Sequence, residues 1–422
     1  MRVWVGIDDT DSSRGMCTTY LATLIMERVE SELGRVEGFP RLIRLNPTIP
    51  YKTRGNGAVS FLVDVEDRED LMEVVNEVVL EHAMIEDENT DPGVVFVDDD
   101  LALKLKSFAD RAMKDVVMLD EALFLIGKYF IPHLKYKKGR GLIGALAAVG
   151  AELNDHTLEL IAYRYPEKFG TEREYDEESF FDMDFELYPL TFDNVDWCNE
   201  KVVCIPNTPC PVLYGLRGES VEALYDALDM IRTEPYDRKM IFITNHATDM
   251  HIIDTDRISI TGLENYRSYK VTGRVTGEPY DIEGGHVFFE IDTRFGEIKC
   301  AAFEPTKQFR NIIRQLRPGD EVEVYGSMKK DTINLEKIRI VKLAKVYVER
   351  NPICAICGKR MESAGKGQGF RCRKCKTRAS RKVKELLSRE IETGFYEVPP
   401  SARRHLSRPL IRMDGDKRHI FR

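Results

Sequence analysis

Four cysteines in two pairs, Cys354-x2-Cys357 and Cys372-x2-Cys375, set the first chemical constraint on this chain. Two such knuckles deliver four thiolates to one tetrahedral Zn²⁺. Four protein sulfurs leave no open coordination position, so the metal is expected to be structural. Gly358, Gly365, Gly367 and Gly369 give the intervening loop the turns a hairpin-built zinc ribbon needs. A redox dithiol needs one pair only and leaves the second unexplained. Ten cations, Lys359, Arg360, Lys366, Arg371, Arg373, Lys374, Lys376, Arg378, Arg381 and Lys382, lie between and after the knuckles. Such a run is ordinarily a solvated face. Beside a zinc ribbon it points to neutralised phosphates.

The second pattern is acidic, Gly6-Ile7-Asp8-Asp9-Thr10-Asp11. Three carboxylates within four residues repel one another unless a cation sits among them, and Mg²⁺ takes one or two such oxygens with phosphate and water. A solvated turn with an N-capping Asp is the plain alternative. Two features favour the cation: the turn follows a buried strand, where sites collect in α/β folds, and it precedes Gly15, Thr18 and Thr19 at a helix start, where free N–H groups attract phosphate. Two loops mix glycine with cations, Lys52-Thr53-Arg54-Gly55-Asn56-Gly57 and Lys135 to Gly144, the latter containing Lys138-Gly139-Arg140-Gly141. Glycine lets backbone amides approach an anion and the cations clamp it. Neither loop is a P-loop, because the Gly-Lys-Ser/Thr ending is absent. Together with the acidic turn they supply what phosphoryl transfer requires.

Other groups rank lower. His246, Asp249, His251 and Asp254 could bind metal, but such residues more often line a pocket or sit satisfied, and no metal is assigned there. Cys198, Cys204 and Cys210 match no knuckle and read as buried structural cysteines; Cys17 shows no sign of a lowered pKa.

The elements that position these groups follow from periodicity. Strands are expected at 3–7, 58–65, 93–97, 202–205 and 240–244, and helices at 18–33, 70–82, 141–153 and 220–231, with further helical stretches up to Phe130. Residues 170–185 read as an acidic surface loop. Alternating strands and helices make residues 1 to about 260 an α/β or α+β assembly. From Tyr266 the pattern changes to strands at 269–275, 287–292 and 297–302, a helix at 307–316, and strands at 321–327 and 333–341. That is the layout of an OB-fold, whose face binds single-stranded nucleic acid; another small barrel with a structural role is the alternative.

Charge sharpens the division. Of the net charge of −9, residues 351–422 carry 19 Lys/Arg against 7 Asp/Glu, which leaves residues 1–350 at −21. A basic end on an acidic body suggests that a polyanion is gripped there, with Arg403, Arg404, Arg408, Lys417 and Arg418 reading as a basic tail. At 43% hydrophobic and 32% charged the chain reads as globular. No apolar stretch nears the roughly 20 residues of a membrane span, and the N-terminus does not read as a secretory signal. The cytoplasm is the expected location.

With these pieces in place, the sequence resembles the archaeal 2-agmatinylcytidine synthetase family that acts on the AUA-decoding isoleucine tRNA. The resemblance rests on Gly6 to Asp11, Lys52 to Gly57, Gly141 to Ala145, Pro211 to Gly218, Thr244 to Asp249, the OB-like segment and the zinc ribbon, in the family's order. His246-Ala247 departs from a Gln-Gly often found there. The resemblance implies an ATP-dependent enzyme that phosphorylates the C2 oxygen of the wobble cytidine, after which the amine of agmatine displaces phosphate. It implies that Asp8, Asp9 and Asp11 hold Mg²⁺ or align the reacting groups, and that Thr18, with Thr19 beside it, accepts phosphate. Lys52, Arg54, Gly55, Gly57, Lys138, Gly139, Arg140 and Gly141 would hold the triphosphate. Agmatine, cationic at both ends, implies an acidic pocket to which Asp249 or Asp254 could contribute.

The expected organisation is a kinase-like α/β domain (1–195), which could interleave with a ferredoxin-like α+β unit (196–262, able to include 58–130). An OB-fold (266–346), a zinc ribbon (350–380) and a basic segment (381–422) follow. ATP, Mg²⁺ and Zn²⁺ are the expected cofactors, tRNA and agmatine the partners, with no membrane and no obligate protein partner. Two rival readings are a nucleic-acid-binding module without chemistry and a Mg²⁺-dependent nuclease or phosphohydrolase.

Overall fold

The structure, a computed structural model, describes residues 1–50, 55–414, 417–419 and 421–422. Strand β1 (Arg2–Asp8) is apolar on both faces because both are covered: Val3 to Ile7 are all buried. Helix α1 (Thr18–Glu32) receives no cap from its own Cys17; the Asp11 carboxylate accepts the Thr18 N–H instead, at 2.7 Å. The chain continues through β2 (Gly34–Arg44), β3 (Gly57–Val65), α2 (Arg68–His82), β4 (Gly93–Asp98), α3 (Lys106–Lys114), α4 (Leu119–Tyr129), β5 (His133–Lys135) and α5 (Gly141–Gly150). Its strands lie in the order β5-β4-β1-β3-β2, all antiparallel. Helices α1 and α2 cover one face; α3, α4 and α5 cover the other.

A second set, β6 (Thr157–Tyr163), α6 (Glu177–Leu187), the short ribbon of β7 (Val195–Asp196) and β8 (Lys201–Val202), β9 (Val212–Gly218), α7 (Val221–Met230) and β10 (Arg238–Thr244), adds three strands in the order β10-β6-β9. A short parallel contact, Ile243 to Arg41 and Thr244 to Leu42, joins the two halves into one eight-stranded sheet.

Several elements differ from the sequence-based expectation. Strand β2 has no clean alternation because Gly38 and Pro40 interrupt it, and the pairing register shifts between Glu37 and Arg41 to absorb them. Strand β6 is buried at all seven positions, so it lacks a polar face to give a period of two. Residues 177–187 form a helix rather than a loop: Asp176 caps it, and Phe180 and Met183 carry its acidic sequence into the core. The expected strand at 202–205 shrinks to Lys201–Val202. Cys204 and Cys210 are buried, whereas Cys198 is exposed.

After β11 (Ile252–Asp254) comes a barrel of β12 (Ser268–Val275), β13 (Tyr280–Ile282), β14 (His286–Thr293), β15 (Gly296–Ala302), α8 (Phe309–Ile313), β16 (Glu321–Lys329) and β17 (Thr332–Lys342). Five strands close on one another, β12-β14-β15-β17-β16 and back to β12, with β15 and β17 parallel. This is the five-stranded OB barrel, with a helix of five residues rather than ten. A two-stranded arm leaves it as β18 (Tyr347–Arg350), turns through three short strands, β19 (Glu362–Ser363), β20 (Phe370–Arg371) and β21 (Arg378–Ala379), and returns as β22 (Val383–Leu386), antiparallel to β18. The chain then rejoins the barrel as β23 (Gly394–Glu397), beside β17, with β24 (Lys417–His419) beyond it.

The described residues of this last segment, 398–414, 417–419 and 421–422, are therefore not a free tail. The Arg403 side chain is 3% exposed between Asp193 and Glu397, Arg408 and Arg412 reach Asp155, and Arg422 meets Asp184 at 2.8 Å.

Candidate active site and nucleic-acid interface

Strand β1 ends at Asp8 directly beside Gly93, the first residue of β4, so the acidic turn and the 87–91 loop share one edge of the sheet. Helix α5 starts against that edge. A β-carbon on Gly93 would lie 2.2 Å from the Leu142 nitrogen, on Gly141 2.3 Å from the Asp8 carbonyl oxygen, and on Gly144 1.9 Å from the Asp8 carboxylate. The glycines of this helix are thus spent on close approach: they bring its N-terminus onto the strand tip and leave room for the Asp8 side chain. The Gly141 N–H donates to the Asp91 carbonyl (3.0 Å), and the Asp91 carboxylate accepts from the Lys138 N–H (3.2 Å). Asp87 gathers Ser12 (2.7 Å) and the Ser13 N–H and hydroxyl, while Lys137 donates to the Asp87 and Thr90 carbonyls.

These loops border an open cleft lined by Asp8, Asp9, Asp11, Thr18, Asn56, Gly57, Arg140 and Gly144, together with Asp115, Leu45 and Ile49. Burial, then the neighbouring Asp9, pushes the Asp8 carboxyl well above its usual range. Asp9, in a left-handed backbone conformation (φ 60°), is pushed up to about 7 by burial and by Asp91, with Arg140 opposing. Carboxylates this crowded favour either protons or a cation. Asp11 is partly committed already, since it accepts from the Thr18 N–H and hydroxyl (2.7 and 3.3 Å). Thr18 lines the cleft; Thr19 instead lies against Cys17 (3.5 Å).

The donor set suits a hard dication, but not as a closed cage. Among the described residues, only Cys354, Cys357, Cys372 and Cys375 bring three or more ligand atoms within 4.8 Å of one another. That quartet is the geometry of a structural Zn²⁺ site. Hydrogen bonds, first from the Thr377 hydroxyl, draw the Cys354 thiol down to about 6, while contact with Cys357 drives Cys375 up to about 12. Four adjacent sulfurs cannot all ionise without a cation between them. Around them Lys366, Lys374, Lys376, Arg378, Arg381 and Lys382 stand exposed.

Not every expected residue joins the cleft. Lys52 and Arg54 lie outside the described residues. Gly55 faces a neighbouring cavity with Arg44, Pro47, Arg404 and His405, and Lys138 lines a separate shallow depression with Glu86, Glu88 and Lys137. The group at 246–254 points in four directions: His246 to Glu159 (3.6 Å), Asp249 to Lys337 (2.6 Å), His251 to Glu336 (3.0 Å) and Asp254 to Lys270 (3.5 Å). Asp249 and Asp254 are matched by internal cations and lie off the cleft. Sequence reasoning missed Asp91 and Asp115; the Asn-Thr-Asp-Pro-Gly turn ahead of β4 carried a signal for the first, and nothing local marked the second.

A carboxylate-lined cleft with a helix N-terminus at its rim, carried beside an OB barrel and a cationic zinc ribbon, defines a nucleic-acid-binding protein with an anion-handling site. The family models agree segment by segment: the TiaS TCKD domain matches residues 4–66, the TiaS FLD domain 139–251, an OB-fold nucleic acid binding domain 269–341 and the TiaS C-terminal zinc ribbon domain 351–391. TiaS of Archaeoglobus fulgidus, a 2-agmatinylcytidine synthetase for the second isoleucine tRNA, is 77% identical over 422 residues, covering 100% of both chains. The chain therefore belongs to the TiaS family of 2-agmatinylcytidine synthetases, which act on the second isoleucine tRNA. Among solved structures, a complex of TiaS with that tRNA and ATP is 77% identical with a TM-score of 0.94. A complex of TiaS with the same tRNA, AMPCPP and agmatine is 74% identical with a TM-score of 0.91, and each comparison covers 100% of both chains.

Proposed function

We propose that this chain is an ATP-dependent ligase that conjugates agmatine to C2 of the wobble cytidine of the AUA-decoding isoleucine tRNA. The observation that carries this reading is full-length similarity to TiaS captured with that tRNA and ATP (77% identity) and with that tRNA, AMPCPP and agmatine (74%), together with one cleft that concentrates carboxylates, an arginine and a helix N-terminus.

The chemistry explains the parts. The C2 oxygen of cytidine is a poor leaving group. A phosphoryl group passes from ATP to that oxygen; the agmatine nitrogen then bonds to C2, the C2–O bond breaks, phosphate departs and the nitrogen gives up a proton. Mg²⁺ bound at Asp8 and Asp9, with Asp11 beside them, would neutralise charge on the phosphates. Arg140 and the amides that open α5 would hold the anion, with Gly57 also lining the cleft, and Lys52 and Arg54 are proposed to add cations to it. Thr18, its hydroxyl oriented by Asp11 and Thr10, would take up or steer a phosphoryl group. The cleft's carboxylates suit agmatine, which is cationic at both ends. The barrel and ribbon would hold the tRNA while the target base is flipped into the cleft. No helix among the described residues is long and apolar enough to cross a membrane, and we place the enzyme in the cytoplasm with its tRNA substrate.

The test is direct. Full-length protein is incubated with ATP, Mg²⁺, agmatine and tRNA transcript, and digested nucleosides are weighed by mass spectrometry. An agmatine adduct of cytidine is expected, and its absence under conditions where tRNA binds would overturn the reading. Asp9→Ala should abolish the adduct with tRNA affinity nearly unchanged; full turnover by that variant would remove the metal role.

A further inference from the structure

Between the cleft and the barrel sits Asn46, 1% exposed, at the end of β2. Every group it owns is committed, and each to a different segment. Its N–H donates to the Ala112 carbonyl at the end of α3 (3.0 Å), and its carbonyl accepts from the Asn56 side chain (2.8 Å). Its side-chain oxygen accepts from the Thr48 N–H and hydroxyl (3.0 and 2.7 Å). Its side-chain nitrogen donates to the Tyr266 carbonyl (2.8 Å), which also accepts from the Thr48 hydroxyl (2.7 Å).

Tyr266 belongs to the linker that enters the barrel. Its N–H donates to the Met328 carbonyl, and the Met328 N–H donates back to the Arg267 carbonyl, so the linker moves with β16. Tyr266 is held in the left-handed region (φ 67°), unfavourable for a side chain of this size, with its carbonyl turned to Asn46. Next to it Arg267 bonds Asp115 at 2.6 Å. The other ends of these contacts, Ala112, Asp115 and Asn56, all line the nucleotide cleft.

One buried amide thus ties the linker that enters the barrel to a wall of the cleft. We infer that Asn46 is a positioning residue through which RNA seated on the barrel sets that wall, so that tRNA and ATP bind with positive coupling. The inference rests on the proposed use of ATP and tRNA. The physical source is the continuous chain of linker–wall contacts: a ligand that holds one end of it biases the arrangement of the other end. Linkage makes the effect reciprocal.

Asn46→Asp is the informative substitution. It keeps an acceptor for Thr48 but sets a carboxylate oxygen against the Tyr266 carbonyl where a donor stood. Arg267→Met, outside the cleft, is the second variant and serves if the first does not fold. Equilibrium affinity for AMPCPP is measured on the full chain with and without tRNA transcript, and tRNA affinity with and without AMPCPP. In the native protein each ligand should tighten the other by about tenfold, within the usual range of such coupling. In either variant the two single-ligand affinities should hold within about twofold while the coupling falls toward one and kcat drops more than KM rises. Equal coupling in native and variant overturns the inference, as does a native coupling of one. Loss of AMPCPP binding without tRNA would overturn it too, by making Asn46 part of the nucleotide site itself. Failure of native protein to bind AMPCPP at all would instead count against the proposed function.

Discussion

The cations of residues 351–422 form one block in the sequence but two populations in the structure. Those of the ribbon, from Lys359 to Lys382, stand mostly exposed on a two-stranded arm. Three of the described cations beyond them turn inward: Arg403 lies between Asp193 and Glu397, Arg412 bonds Glu219 at 2.5 Å, and Arg422 packs against Tyr188 and Trp197 beside Asp184. Part of the charge asymmetry is therefore internal wiring, in which basic groups from the end of the chain neutralise the acidic body. The ribbon's share stands exposed to solvent.

Breaking the inward population should have the largest effect. Arg403→Met leaves Asp193 and Glu397 buried with a cation missing, and removing one partner of such a pair costs about 3–5 kcal/mol. Denaturant unfolding should register a loss of that order; a change below about 1 kcal/mol would mean the pair is solvated in practice.

The same interface should respond to acid. His405 of this segment sits edge-on to His246, with ring centroids 5.0 Å apart. Burial, with Arg217 nearby, pulls the His246 imidazole down from 6.5 to about 4. Burial raises Glu159, but the close approach of His246 (3.6 Å) and the charge of Arg44 outweigh it and hold the carboxyl at about 2. The pair is thus neutral imidazole beside carboxylate at neutral pH. A histidine whose folded pKa is depressed contributes fully above its unfolded value, and that contribution is lost as pH falls toward the folded one. Tm should decline between about pH 6.5 and pH 4, and His246→Gln should flatten that limb. An unchanged slope in the variant would place the acid sensitivity elsewhere.

The two populations also mark how far sequence reasoning reaches. Cys354, Cys357, Cys372 and Cys375 are legible because metal geometry constrains local spacing, and the OB barrel because its strands alternate with one wet face. Asp8, Asp9, Asp11 and Thr18 are legible as a local run. Asp91, Asp115 and Asn46 are not, because what makes them matter is a strand edge or a linker brought in from far along the chain. Arg403 reads as part of a tail for the same reason: its partner Asp193 lies 210 residues away, and a run of arginines does not state whom it faces.

On the outward side, chelating zinc or making Cys372→Ser should unfold the ribbon alone. The arm returns to the barrel through β22 and through Arg389, which grips Asp320 at 2.6 and 2.7 Å, so the body should keep its Tm. Affinity for tRNA transcript should fall by about 100-fold, roughly 2.7 kcal/mol. A matching fall in the body's Tm would show that the ribbon is not a separate unit.

Smallest is the effect of single ribbon cations. Lys366 and Lys374 are exposed, and surface changes of this kind usually stay within about 0.5 kcal/mol of stability. If their role is phosphate neutralisation, Lys366→Ala and Lys374→Ala should each weaken tRNA binding without regard to sequence and reduce the slope of log affinity against log salt by about 1. Arg422→Ala, a cation from the same stretch of sequence but turned inward, should leave that slope unchanged while lowering Tm. Equal slopes in the lysine variants and the native protein would move the RNA contact off the ribbon, and an altered slope in Arg422→Ala would dissolve the distinction between the two populations.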